Sequence, residues 1–173
     1  PISISSYREK GILRRFRATP LRAEAILIAQ MLVVFSVTVL GMAVLVIAGR
    51  LVYGLRFQGN ALSVALAFAL GCLSFYALGF LLAGLLPTAR STQIVAMALF
   101  YPMLFLSGAG LPRELLPEGI RRFSLVLPLT HVTTLLRGMW SGEPWSAHWL
   151  EVGVLLAILL VGTLLSARVF RWE

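Results

Sequence analysis

Few side chains in this chain could carry out chemistry, and they are widely spaced. Four of its acids, Glu114, Glu118, Glu143 and Glu151, lie between the third apolar run and the last. An enzyme would need paired carboxylates, a Ser–His pair or a cluster of metal ligands, and these acids form no such motif. His131 has no second ligand near it in sequence, and His148 stands beyond it in a separate loop. The spacing therefore predicts neither a catalytic centre nor a metal site.

Two other kinds of chemistry are also missing from the sequence. The single cysteine, Cys72, lies inside an apolar run, so no disulfide framework or thiolate metal site is available. No G-x-x-x-x-G-K-[ST] phosphate loop occurs, so the chain does not hydrolyse ATP by that route. The net charge of +8 would suggest nucleic acid as the partner of a soluble protein, but the composition favours a different explanation.

The composition is that of an integral membrane protein. Hydrophobic residues make up 59% of the 173 residues and charged residues 13%, against about 25% charged in ordinary globular domains. Four apolar runs are long enough to cross a bilayer, and they lack the strict alternation of barrel strands. We therefore predict an all-α polytopic membrane protein with membrane helices at 21–49, 61–87, 91–111 and 150–169.

Basic residues predict the orientation of these helices, because lysine and arginine accumulate on the cytoplasmic side. With a cytoplasmic N-terminal segment, nine cations lie inside and six outside, so this orientation is favoured and the C-terminus is also cytoplasmic. The inside set is Arg8, Lys10, Arg14, Arg15, Arg17, Arg22, Arg90, Arg168 and Arg171, and the outside set is Arg50, Arg56, Arg113, Arg121, Arg122 and Arg137.

Residues 112–140 are too interrupted for an ordinary span. Pro112, Pro117 and Pro128 each stop or kink a helix, so we predict an external re-entrant hairpin of two half-buried helices. The rival interpretation makes residues 119–140 a fifth span, which would place the C-terminus outside. The residues assigned to the hairpin are Ser107, Gly108, Pro112, Pro117, Pro128, Leu129, Thr130, His131, Arg137 and Gly138.

The N-terminal segment 5–18 is predicted to be a basic amphipathic helix. Ser6 and Glu9 form an S-x-x-E capping box, and Ile12, Leu13 and Phe16 share one face. Thr19 and Pro20 begin the next helix, so a surface helix meets a spanning helix at a corner. The simpler interpretation is a juxtamembrane segment that binds anionic lipid.

Two segments resemble a known family. REKGILRRFRATPL, residues 8–21, is similar to the cytoplasmic loop of ABC-2 type transporter permeases, with its acid–base pair, glycine, basic run and closing T-P-L. FLSGAGLPRELLPEGIRRFSLVLPLTHVTTLLRG, residues 105–138, resembles that family's F-L-S-G…P…L-P…P-L-T…LRG segment. The matches occur in the family's order, and the resemblance covers essentially the whole chain.

The resemblance implies the fold of a type V exporter, whose membrane domain has six helices. The four spans would be its third to sixth helices, so we expect the chain to be a fragment without the first two. The N-terminal helix would be the coupling helix that docks onto an ATPase. The residues expected to form this contact are Arg8, Glu9, Gly11, Ile12, Leu13, Arg14, Arg15, Phe16, Thr19 and Pro20.

The implied function is that of a permease subunit in an ATP-binding-cassette exporter of the inner membrane. Its partners would be a cytoplasmic ATPase, a second permease copy and the lipid bilayer, with no nucleic acid. ATP and Mg would bind the partner ATPase, and this chain would bind no cofactor and catalyse no reaction. The apolar spans favour a hydrophobic or amphipathic substrate such as a drug, lipid or glycolipid. The alternative is a membrane anchor that recruits a cytoplasmic partner without transport.

Overall fold

The computed structural model describes residues 23–54, 57–111 and 116–169. These residues form helices joined by short loops, with no strand among them. Four of the described helices are long and apolar enough to cross a membrane, which confirms the predicted all-α, four-span architecture. The elements are α1 (Ala23–Tyr53), α2 (Ala61–Leu85), α3 (Ala89–Leu106), α4 (Glu118–Ser124), α5 (Pro128–Ser141), a 3₁₀ turn (Trp145–His148) and α6 (Trp149–Val169).

Capping residues determine where the central helices begin. The side chain of Asn60 accepts a hydrogen bond from the backbone N–H of Leu62 at 2.8 Å, which starts α2. Thr88 and Ser91 form a reciprocal capping box at the start of α3. The turn between α2 and α3 is therefore tight and has a cap on its α3 side.

The third span is shorter than its hydropathy suggests. It ends at Leu106, whereas the apolar run continues to residue 111. Ser107 caps the helix, and Gly108 follows with φ of +88°, a left-handed conformation that favours glycine. The chain leaves the helix at this glycine.

The core is formed by α2, α5 and α6. It consists of Val64, Ala67, Leu135, Met139 and Leu155, all of them buried. The 3₁₀ turn, which carries His148, contacts α5 and α6 beside this core. Residues on α5 are consequently held by α2 on one side and α6 on the other.

Small residues allow α2 to approach its neighbours closely. A Cβ added at Gly162 of α6 would lie 3.0 Å from the Cβ of Ala77, and one at Gly71 would lie 3.0 Å from Val132 Cγ1. Ser74 donates a hydrogen bond across the same interface to the carbonyl oxygen of Leu155 at 2.9 Å. Small side chains and interhelical hydrogen bonds are the usual means of packing helices in lipid.

Helix α1 lies at the edge of the described structure. Its large apolar side chains are exposed, Leu45 by 74% and Leu51 by 81%. It contacts the core through Met42, which packs against the buried cluster. In a bilayer such a surface faces lipid or other membrane helices, because apolar side chains are stable in contact with hydrocarbon.

Residues 119–140 do not form one continuous helix. Helix α4 ends at Ser124, and α5 begins at Pro128. The 14 residues of α5 extend about 21 Å, less than the roughly 30 Å of a hydrocarbon core. This break disfavours a fifth span, while re-entry of the two helices into the membrane stays a prediction.

Candidate functional site

The C-terminal end of α3 is joined to α5 by two side-chain hydrogen bonds. The Thr133 hydroxyl donates to the carbonyl oxygen of Ser107 at 2.8 Å. The Arg137 guanidinium donates to the carbonyl oxygen of Gly108 at 2.5 Å. These donors are four residues apart on α5, so they lie on one face and reach two consecutive carbonyl groups.

The C-terminal end of α4 is joined to α5 in the same way. The Thr130 hydroxyl donates to the carbonyl oxygen of Ser124 at 2.5 Å. Nε2 of His131 lies 2.9 Å from the carbonyl oxygen of Leu125. Because a carbonyl oxygen can only accept, Nε2 carries the proton and donates it.

We call Thr130, His131, Thr133 and Arg137 the carbonyl clamp. The last carbonyl groups of a helix have no intrahelical partner and carry partial negative charge. Four donors of α5 bond to carbonyl groups at the C-terminal ends of α3 and α4, and that of Ser124 also accepts from the backbone N–H of Leu127 at 3.1 Å. The cation Arg137 is placed where the helix dipole favours it. The clamp joins α3, α4 and α5 into one unit.

The structure thus brings together most of the residues assigned to the hairpin. Ser107 and Gly108 accept from the clamp, and Pro128 occupies the first turn of α5, where its missing N–H costs nothing. Leu129 is half-buried beside them, and Pro117 is the N-cap residue of α4. Pro112 lies outside the described residues.

A second polar cluster brings two of the widely spaced acids to one histidine. Nε2 of His148 lies 2.8 Å from Oε2 of Glu143, and Nδ1 lies 3.8 Å from Oε2 of Glu151. The left-handed Gly142, at φ of +84°, ends α5 and turns the chain so that Glu143 faces the histidine. Glu151 is three residues after His148, a helical spacing visible in sequence.

This cluster links α5 to the start of α6. The two ring nitrogens point to different carboxylates, and no group of three His, Cys, Asp or Glu side chains in the described ranges is arranged to hold a metal ion. His148 is buried against Gly138 of α5, where an added Cβ would lie 2.0 Å from Nε2. Gly138, another hairpin residue, thus makes room for the ring that ties α5 to α6.

Comparison with known proteins identifies the family of this chain. The model of the ABC-2 family of transporter proteins matches residues 1–168. The chain belongs to this family. Both the N-terminal basic segment and all four spans of the ABC-2 chain fall within the match.

Curated relatives of the ABC-2 chain include a nodulation protein and two named permeases. It is 33% identical over 99 residues to nodulation protein J of Rhizobium leguminosarum bv. viciae, covering 57% of this chain and 38% of the relative. It is 25% identical over 159 residues to the inner membrane transport permease YhhJ of Escherichia coli K12, covering 87% and 41%. It is 22% identical over 153 residues to the probable multidrug ABC transporter permease YbhR of the same strain, covering 86% and 42%.

The ABC-2 chain spans about two fifths of the length of these relatives. No solved structure matches it significantly. The family membership and the four apolar helices support a multi-pass membrane protein of a transporter family.

The residues predicted to couple the chain to an ATPase, from Arg8 to Pro20, lie outside the described residues, so their role stays a prediction. The clamp was missed as a unit, since its donors and acceptors are separated by up to 29 residues. Its sequence signal is the T-H-x-T-x-x-x-R spacing in α5, which places four donors within two helical turns.

Proposed function

We propose that this ABC-2 chain is part of the permease subunit of an ATP-binding-cassette exporter. The observation that carries the proposal is the family match over residues 1–168, which includes the basic segment together with the four apolar helices. The names of two relatives, a transport permease and a probable multidrug permease, agree with it. The substrate is a hydrophobic or amphipathic molecule such as a drug, lipid or glycolipid.

Energy for transport comes from a separate ATPase, which holds ATP and Mg. The sequence contains no phosphate loop of its own, and its N-terminal segment combines an apolar face with basic residues. That face, made by Ile12, Leu13 and Phe16, docks into a groove of the ATPase as an amphipathic helix. Arg8, Glu9 and the neighbouring arginines supply the polar contacts.

The described polar side chains of the spans support an apolar substrate. Ser74 bonds to Leu70 and Leu155, and Ser36 and Thr38 bond to carbonyl groups of their own helix. These groups are satisfied within the protein, and membrane hydroxyls of this kind more often serve packing than substrate binding.

Transport proceeds by rigid-body motion of two permease copies around a path between them. The carbonyl clamp contributes by keeping α3, α4 and α5 together, so that a movement of α3 also moves the hairpin. The Glu143–His148 contact extends the same unit to α6. A homodimer of the permease is the arrangement we propose.

The coupling role is tested in the full-length protein, co-purified with the ATPase encoded beside it. Phe16→Ala and Glu9→Ala are expected to lower substrate-stimulated ATPase activity several-fold, because each removes part of the docking surface. Lys10→Ala is the matched control, since residue 10 lies about 120° from Phe16 around the predicted helix and outside the expected contact set. Unchanged binding and ATPase activity in both variants would show that the coupling assignment is wrong.

The alternative, a membrane anchor without transport, predicts a different result. In that case Phe16→Ala would weaken recruitment of the partner, but proteoliposomes containing the intact complex would show no ATP-dependent substrate movement. Movement of a fluorescent amphiphile out of cells, dependent on ATP, supports the exporter. Movement into cells would contradict the proposed direction.

The proposed location is the inner membrane, with the N-terminal segment and the C-terminus in the cytoplasm. A cysteine placed at position 173 in a Cys72→Ser background tests this orientation. A membrane-impermeant maleimide should label it only after the membrane is opened. Labelling of intact spheroplasts would contradict the proposed topology.

A further inference from the structure

An apolar cavity of about 500 Å³ lies between α1 and α2. Helix α1 contributes Gly41, Met42, Leu45 and Val46 to its wall, and Phe68 of α2 and Trp140 of α5 complete it. Its volume is within the range of about 300–1,000 Å³ typical of small-molecule sites. The cavity is open at the side, toward the surroundings of the helices.

The wall is mostly apolar. Its hydroxyl, that of Thr38, donates to the carbonyl oxygen of Val34 at 2.7 Å, and its other polar group is the indole N–H of Trp140. Gly41 widens the space, because a Cβ added there would meet nothing within 4 Å. The walls therefore suit a flexible hydrocarbon chain, and water gains little by filling such a space.

A cation stands at one end of this cavity. Arg50 follows Val46 by one helical turn, and its guanidinium carbon lies 5.8 Å from the ring centre of Phe57. Phe57 packs edge-on against Trp140 of the cavity wall, with ring centres 4.9 Å apart. Within the described ranges, no carboxylate lies at salt-bridge distance from Arg50.

We propose that this cavity binds an anionic membrane lipid, with an acyl chain against Gly41 and Met42 and the headgroup phosphate at Arg50. The aromatic pair of Phe57 and Trp140 connects the two parts of the site and holds the guanidinium by a cation–π contact. The cavity is apolar and ends at a cation that has no carboxylate partner among the described residues. It therefore complements an anionic amphiphile in both shape and charge. The proposal does not depend on the direction of transport.

The acyl-chain half is tested with the full-length protein in nanodiscs that contain a phosphatidylglycerol with a photoreactive acyl chain. We expect labelling of the α1 and α2 walls, read by peptide mass spectrometry. Gly41→Phe should reduce it at least about tenfold, because the new ring occupies the volume of several methylene groups. Gly153→Phe on α6 is the matched control, as a Cβ there also meets nothing within 4 Å.

The headgroup half is tested by competition with a phosphatidylcholine that has the same photoreactive chain. Arg50→Gln should lower the preference for the anionic lipid about fivefold, the effect of one basic residue at a membrane surface. Labelling of the wall by the acyl chain should persist. Arg90→Gln, at an exposed site on α3, should leave the preference unchanged.

Three results would overturn the proposal. Equal labelling in the Gly41→Phe and Gly153→Phe proteins would show that the cavity does not hold the chain. An unchanged lipid preference in Arg50→Gln would remove the headgroup contact. A photoreactive amino acid at position 45 that cross-links to another helix or a second copy, and not to lipid, would assign the cavity to protein packing.

Discussion

Arg137 and Gly108 are 29 residues apart in sequence, yet the guanidinium of Arg137 donates to the carbonyl oxygen of Gly108 at 2.5 Å. This contact places a positive charge at the C-terminal end of α3, where the helix dipole is negative. It also anchors the chain at the left-handed glycine that ends the helix. The end of one membrane helix is therefore stabilised by a side chain from another.

Replacing Arg137 by Gln should lower the free energy of unfolding by about 1.5–3 kcal/mol, the usual value of a hydrogen bond that involves a charged group. The measurement is denaturant-induced unfolding in detergent, followed by tryptophan fluorescence. Arg121→Gln is the control, because that side chain is exposed on α4 and its loss should cost less than about 0.5 kcal/mol. Equal losses in both variants would contradict a specific role for Arg137.

Thr130→Val tests the other half of the carbonyl clamp. The valine keeps the shape of the threonine but removes the 2.5 Å donor to the buried Ser124 carbonyl oxygen, which keeps the backbone N–H of Leu127 at 3.1 Å. The expected loss is about 0.5–1.5 kcal/mol, the net value of one intramolecular hydrogen bond. Thr163→Val on α6 removes an exposed hydroxyl that bonds within its own helix, and it should be nearly neutral. A neutral Thr130→Val protein would show that the Leu127 N–H alone satisfies this carbonyl group.

The contact between Gly138 and His148 predicts a rescue. In Gly138→Ala the new Cβ would lie 2.0 Å from Nε2 of His148, so the ring must leave and break its 2.8 Å contact with Glu143. We expect a loss of about 1–3 kcal/mol, as in other overpacked sites. Adding His148→Ala should recover most of this loss, which a double-mutant cycle measures as coupling energy.

The control for that cycle is Gly119→Ala on α4, where an added Cβ meets nothing within 4 Å. It should show no coupling to His148→Ala. If Gly138→Ala were as harmless as Gly119→Ala, the close packing of the histidine against α5 would be refuted.

The sequence predicted the spans well because a bilayer requires long apolar runs, and hydropathy reports such runs directly. It did not predict that α3 stops at Leu106. Residues 107–111 contain no charge, and the end of the helix depends on the φ of Gly108 and on donors in α5. Hydropathy within a window cannot contain information from residues more than 20 positions away.

The His148 cluster shows which part of a site is local. The i, i+3 spacing of His148 and Glu151 could be read from the sequence. The approach of Glu143 could not, because it depends on the turn at Gly142 and on the space left by Gly138. The Glu143–His148 pair therefore could not be predicted without the backbone conformation at Gly142.

The interface between α2 and α6 gives the last prediction. A Cβ at Gly162 would lie 3.0 Å from the Cβ of Ala77 and 3.3 Å from its backbone carbonyl carbon, so Gly162→Leu must push the helices apart. Separation would also strain the 2.9 Å bond from Ser74 to Leu155. We expect a loss of about 2 kcal/mol or more, measured as a lower melting temperature in detergent. Gly153→Leu on the same helix should be tolerated, since that position is open. Ala77→Gly should partly rescue Gly162→Leu, and a rescue would show that the small residues act by permitting close approach. Equal tolerance at 153 and 162 would instead show that α2 and α6 are loosely packed.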